Sequence, residues 1–106
     1  IMAGLNCGTV STVAWAILKN YIYKSISIPD SFSKDAMKVF ANPIADDQKI
    51  ISGESGASGL GGLLAIRNGG FKDLVEEVLK DSSTILIINT EGATDPINYN
   101  SIIGED

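Results

Sequence analysis

Residues 50–62, IISGESGASGLGG, are the stretch from which the fold of this sequence is predicted. The stretch opens with Ile50 and Ile51, β-branched apolar residues that are typical of a strand inside a sheet. Gly53 and Gly56 then allow a tight turn or a close approach of the backbone to a ligand. Three further glycines fall in the helix predicted to follow, where each costs roughly 1 kcal/mol relative to alanine. We therefore predict a strand, a turn and a helix that packs closely on a sheet or on a flat ligand.

The turn in this stretch has two interpretations that the residues leave open. It is either a structural turn between closely packed layers or a ligand site, because amides at a helix start point outward and attract an anion. A Gly-Lys-Ser/Thr sequence does not follow, which excludes a P-loop, and the glycine spacing is not that of a dinucleotide-binding turn.

Composition restricts the class of protein. The 106 residues suggest a single domain, with 44% hydrophobic and 20% charged residues. The net charge of −5 argues against a nucleic-acid partner. No stretch approaches the roughly 20 apolar residues of a membrane span, and we expect a cytoplasmic protein. With Cys7 alone and no histidine, neither a zinc site nor a Ser–His nucleophile is expected. The ends of the sequence lack capping elements, so we expect a segment of a larger enzyme.

The order of predicted elements is α-β-α-β-α-α-β-α. The strands are predicted at residues 25–28, 50–51 and 84–89, and the last is a continuous apolar run typical of a strand buried on both faces. The first helix, from Ser11 or Thr12 to about Tyr23, carries an apolar stripe that we expect to be buried. We predict one α/β segment over residues 1–106, with a partial parallel sheet of about three strands flanked by helices.

Two polar loops follow predicted strands. The first loop is residues 52–55 and the second loop is residues 89–95, and both carry hydroxyls, glycine and a carboxylate. In open parallel sheets, ligands bind beyond the carboxyl ends of the strands. We therefore expect the two loops to lie side by side and to form part of a ligand site.

Three motifs in order resemble those of diaminopropionate ammonia-lyase. They are AGLNCG at residues 3–8, SGESGASG at 52–59 and NTEGATD at 89–95, and together they span nearly the whole chain. The similarity corresponds to the C-terminal part of that enzyme, and more distantly to the tryptophan synthase β-like class of pyridoxal-phosphate enzymes. The resemblance implies a piece of that fold, from the C-terminal portion of its large domain.

The resemblance also implies a chemistry and a set of site residues. It implies a pyridoxal-phosphate lyase that eliminates ammonia from 2,3-diaminopropionate, a small amino-acid substrate, to give pyruvate and ammonia. Thr90 is the first candidate for the hydroxyl that meets the pyridine nitrogen, and Asn89 is the second. Gly53, Glu54 and Ser55 would line the edge of the cofactor ring. The Schiff-base lysine and the acidic base would lie upstream, so the isolated chain would contain no catalytic residue and be inactive alone.

Several of these residues have simpler interpretations. Thr90 could be a turn hydroxyl bonded to its own loop, Glu54 a carboxylate favoured by the helix dipole, and Asp95 a helix cap. Lys34 resembles a cofactor-binding lysine only superficially, since it falls on a predicted surface helix in the wrong segment. The alternative function is a free-standing α/β module that binds a small anion at the helix start. For the fragment we expect the rest of the enzyme as a partner, and a homo-oligomer.

Overall fold

The computed structural model describes residues 1–104, apart from the side chains of Lys72 and Val78. A short 3-10 helix, Ala3–Leu5, precedes the α-helices of the described chain. These are α1 (Thr12–Leu18), α2 (Asp30–Ala41), α3 (Ser58–Asn68), α4 (Lys72–Val78) and α5 (Pro96–Ile103). In this range, no helix is both long enough and apolar enough to cross a membrane.

The core lies where α2, the start of α3 and α5 meet. Helix α2 packs on α3 and on α5, and α4 packs on α3. The buried centre consists of Ala36, Met37, Ala57 and Tyr99, and half-buried apolar side chains from α2, α3 and α5 surround it. The apolar side chains of α2 recur at helical spacing, and the face that they form is the face that packs.

The predicted α/β fold with a partial parallel sheet is wrong for the described residues, because no strand forms among them. Residues 25–28, 50–51 and 84–89 are all irregular. The backbone hydrogen bond from Gly53 N to Glu91 O (3.3 Å) joins the segments that directly follow the second and third of these regions. A ladder needs a repeating series of such bonds. The apolar runs have strand-like composition, but no described segment pairs with them in register.

The buried stripe predicted for the first helix is also wrong. Helix α1 ends at Leu18 rather than near Tyr23, and of the predicted stripe only Ala14 is half-buried. Val13 is 76% exposed. Helical spacing correctly predicted an apolar face, but no described helix packs against it.

The glycines of α3 are explained by close packing of other chain segments. A Cβ built on Gly59 would lie 2.9 Å from Ile87 Cγ2, and one on Gly62 would lie 3.2 Å from Ile26 Cδ1. A Cβ on Gly61 would lie 3.0 Å from the carbonyl oxygen of Phe32 in α2. The glycines thus let α2 and two irregular segments approach α3 closely. The predicted close packing is present, but its partners are a helix and irregular segments rather than a sheet or a flat ligand.

Helix ends follow the capping chemistry of the sequence. Ser11 Oγ accepts a hydrogen bond from Ala14 N (3.3 Å) at the start of α1. Asp95 Oδ1 accepts one from Asn98 N (3.1 Å), with Pro96 as the first residue of α5. Gly104 ends α5 with φ of 81°, a left-handed conformation that favours glycine. Asp95 is therefore a helix cap, the simpler of its two interpretations.

Tyr99 contains an unpaired buried hydroxyl. Its side chain is 7% exposed, and its oxygen has no hydrogen-bond partner among residues 1–104. Because an unpaired buried hydroxyl costs about 1–3 kcal/mol, we expect Tyr99→Phe to raise the free energy of unfolding by about 1 kcal/mol in urea denaturation. Tyr21→Phe, at an 81% exposed position, should change nothing. A loss of stability in Tyr99→Phe would contradict this prediction.

An exposed charge cluster joins the segment after α1 to α4. Lys24 Nζ lies 2.6 Å from Glu77 Oε2, and the Tyr23 hydroxyl donates to Glu77 Oε1. Hydrogen bonds from Lys24 and then Tyr23 lower the pKa of Glu77. The hydrogen bond to Glu77 raises the pKa of Lys24.

These shifts predict a pH dependence of stability. The contribution of Glu77 is complete above its unfolded-state pKa and is lost as pH falls through its lowered folded-state pKa. That of Lys24 is complete below its unfolded-state pKa and is lost as pH rises through its raised one. We expect Lys24→Met to move the Glu77 pKa upward in an NMR carboxyl titration, whereas Lys80→Met should not. An unchanged Glu77 titration in Lys24→Met would show that the pair does not form.

Candidate functional site

The structure brings the two polar loops together. Gly53 N donates to Glu91 O (3.3 Å), and Asn89 Nδ2 donates to Ile51 O (3.1 Å). Ser52 is fully buried, and its hydroxyl donates to Asn89 Oδ1 (2.9 Å). The loops that follow two predicted strands therefore lie side by side without a sheet beneath them. Main-chain and side-chain hydrogen bonds join them instead of a ladder.

The carboxylate of Glu91 occupies the anion position of the first loop. Its Oε1 accepts hydrogen bonds from Ser55 N (2.7 Å) and from Gly56 N (3.4 Å). These amides belong to the turn directly before α3, where a negative charge is favourable. The amides that the sequence offered to an external anion are thus bonded to a carboxylate of the same chain.

Gly53 and Gly56 are needed for this contact between the loops. A Cβ on Gly53 would lie 2.6 Å from Gly92 O and 2.8 Å from Glu91 Oε1. A Cβ on Gly56 would lie 2.8 Å from both Glu91 O and Ser52 Oγ. Real Cβ atoms do not approach backbone so closely. Both positions are therefore glycine because of the second loop, whose proximity the sequence could not show.

Glu54 and Ser55 link the first loop to the rest of the fold. Asn98 Nδ2, on α5, donates to Glu54 Oε1, and the buried Ser33 hydroxyl of α2 donates to the Glu54 carbonyl oxygen. The hydroxyl of Ser55 accepts a hydrogen bond from Gly4 N (3.0 Å). Parts of all three resembling motifs thus meet at this loop, held between α2 and α5.

Comparison with known proteins was made on the whole sequence. No protein-family model matches the chain. The diaminopropionate ammonia-lyase of Escherichia coli (strain K12) is 42% identical over 107 residues, which cover 99% of this chain and 27% of that enzyme. The enzyme of the same name from Salmonella typhimurium (strain LT2) is 38% identical over 106 residues, covering 97% of this chain and 26% of its own length.

Over nearly its whole length, this chain is similar to diaminopropionate ammonia-lyases. The resemblance predicted from the three motifs is therefore confirmed. The chain spans about a quarter of the length of the curated relatives that it matches, 27% for the first of them.

Asn89 and Thr90 differ in whether their side chains are free to hydrogen-bond a ligand. Both polar atoms of the Asn89 side chain are hydrogen-bonded within the chain, because Oδ1 accepts from Ser52 Oγ and Nδ2 donates to Ile51 O. The side chain of Thr90 is exposed, and its hydroxyl makes no hydrogen bond to the described chain. The simpler interpretation of Thr90, a hydroxyl bonded to its own loop, is not what the structure has.

Three residues that hold the two polar loops in place were not among the predicted site residues: Ser33, Glu91 and Asn98. Glu91 lies two residues after Asn89, next to candidates that were identified. A carboxylate on one loop facing helix-start amides on another was the signal that could have indicated it. Ser33 and Asn98 carry no local signal, since each meets Glu54 only through helix packing. The assignment of Gly53, Glu54, Ser55, Asn89 and Thr90 to a cofactor stays a prediction.

Proposed function

We propose that this chain is the C-terminal portion of a pyridoxal-phosphate-dependent diaminopropionate ammonia-lyase. The complete enzyme would catalyse α,β-elimination of 2,3-diaminopropionate to pyruvate and ammonia. The observation that carries this proposal is the identity of 42% over 99% of the chain to an enzyme of that name. A cytoplasmic location and a homo-oligomeric assembly are part of the proposal.

The exposed apolar surface supports a role as part of a larger protein. Val13 of α1 is 76% exposed, Tyr21 81%, and Leu86 in the last apolar run 86%. In this proposal the rest of the enzyme covers α1 and residues 85–88. The rest of the enzyme would also contribute the lysine that holds the cofactor.

The side chains at the joined loops are compatible with a pyridine ring. The hydroxyl of Thr90 is exposed and available to hydrogen-bond the ring nitrogen, and Gly53 is held beside the second loop by Glu91. Pyridoxal phosphate supplies an electron sink for the elimination. A neutral hydroxyl at the ring nitrogen leaves that nitrogen largely unprotonated, which suits β-elimination. The proposed role of Thr90 is therefore to orient the ring without protonating its nitrogen.

The alternative function, a free-standing anion-binding module, has less support. The amides of Ser55 and Gly56 are already bonded to Glu91 Oε1, and that of Gly53 is bonded to Glu91 O. An external anion would have to displace a tethered carboxylate. Phosphate added to the chain should leave the amide NMR signals of residues 53–56 unmoved, and saturable shifts there would favour the module.

The proposed activity is tested by comparing the isolated chain with the full-length protein. With pyridoxal phosphate present, we expect the full-length protein to release pyruvate from 2,3-diaminopropionate and the isolated chain to release none. Turnover by the isolated chain would disprove the absence of a catalytic lysine and base. A full-length protein that binds the cofactor but does not act on this substrate would disprove the proposed reaction.

Thr90 is tested in the same full-length protein. Thr90→Ser keeps the hydroxyl, and we expect kcat within about tenfold of the unmodified enzyme. Thr90→Val keeps the shape, removes the hydroxyl, and should lower kcat by about 100-fold, since misplaced reacting groups cost this much. Equal activity of the two variants would remove Thr90 from the proposed site.

A further inference from the structure

We propose that Glu91 is a positioning residue, whose side-chain oxygen accepts the hydrogen bonds that hold Thr90 toward the cofactor. This inference rests on the proposed function and deepens it. It assigns a role to a carboxylate that does not itself touch the cofactor.

The first observation is that Glu91 is attached to the first loop at two points. Its side chain accepts hydrogen bonds from Ser55 N and Gly56 N, and its carbonyl oxygen accepts one from Gly53 N. The residue is half-buried, and its carboxylate lies so close to Gly53 that a Cβ there would be 2.9 Å from Cδ. A side chain confined in this way fixes the position of its own backbone.

The second observation is the alternation of side chains along the second loop. Asn89 and Glu91 both reach the first loop, whereas Thr90 between them is exposed. Thr90 is therefore clamped on both sides, and its hydroxyl remains available to a ligand.

The third observation is that the anion position is filled from within the chain. A turn whose amides already bind a carboxylate does not bind the phosphate group of the cofactor. The first loop therefore acts as an anchor for the second loop.

The first test uses the apo form of the full-length protein and needs no activity. Amide hydrogen exchange at Ser55 and Gly56 should be at least tenfold faster in Glu91→Ala than in the unmodified protein. Glu76→Ala removes an exposed carboxylate from α4 and serves as the matched control, with no change expected. Unchanged exchange at both amides in Glu91→Ala would overturn the proposal.

The second test uses the same proteins loaded with pyridoxal phosphate. Glu91→Ala should lower kcat about 100-fold with KM changed less than threefold and a displaced cofactor absorption band. Formate, which fits the vacated amides, should restore at least a tenth of the lost rate and leave the unmodified enzyme unaffected. Absence of formate rescue, or an unchanged kcat in Glu91→Ala, would overturn the proposal while the proposed reaction stands.

If Glu91→Ala does not fold, the conservative variant Glu91→Gln tests the positioning role of Glu91. Glu91→Gln keeps an oxygen that accepts from both amides, and we expect an intact helix signal with kcat within tenfold of the unmodified enzyme. A folded Glu91→Gln that loses activity 100-fold would overturn the proposal. An unmodified protein without turnover would instead disprove the proposed function, so the two failures are distinguishable.

Discussion

Gly56→Ala is expected to lower the free energy of unfolding by about 3 kcal/mol, because overpacking of a closely packed site costs roughly this much. The new Cβ would lie 2.8 Å from the carbonyl oxygen of Glu91 and 2.8 Å from Ser52 Oγ. Neither atom can move away easily. Ser52 is fully buried, and Glu91 is bonded to the first loop through its backbone and its carboxylate. The substitution should therefore separate the two loops.

Gly92→Ala is the matched control for this substitution. Gly92 lies in the second loop, and a Cβ built on it meets nothing within 4 Å. We expect its stability to be unchanged or to rise by up to about 1 kcal/mol, since alanine restricts the unfolded chain. Urea denaturation followed by the helical circular dichroism signal measures both variants. Equal stability of the two would show that the loops are not in contact.

Met37→Ala is expected to destabilise the chain by about 2–5 kcal/mol, the range found for truncation of large core side chains. Met37 is 1% exposed and lies in the small core with Ala36, Ala57 and Tyr99. Alanine at this position leaves a cavity that the surrounding side chains fill only in part. Because the core is small, this loss is a large part of the stability of the fold.

Val39→Ala, on the same helix, is the control for Met37→Ala. Val39 is 43% exposed, so its truncation removes little buried surface and should change the free energy of unfolding by less than about 1 kcal/mol. The same urea denaturation reports both values. If Val39→Ala were as destabilising as Met37→Ala, the packed face of α2 would be different from the one described.

The helices and their ends follow from local sequence. Helix α2 places its regularly spaced apolar side chains on the face that packs. The caps at Ser11 and Asp95 were predicted because a short polar side chain satisfies the first free amides of a helix wherever the helix packs. The three motifs also predicted the homology correctly, since each is a run of adjacent residues. Structure that depends only on residues adjacent in sequence can be predicted without knowledge of the tertiary fold.

The arrangement of those elements was decided by tertiary structure. Composition predicted strands at residues 50–51 and 84–89, but a strand exists only when a partner offers its backbone in register, and none of the described residues does so. The apolar stripe of α1 was predicted to be buried, yet burial depends on a second surface that this segment lacks. The sequence by itself determined where the helices lie, the caps of α1 and α5, and the two polar loops. Only the tertiary structure determined that Glu91 joins those loops, because that contact connects residues 35 and 36 positions apart, a separation at which adjacent residues impose no preference.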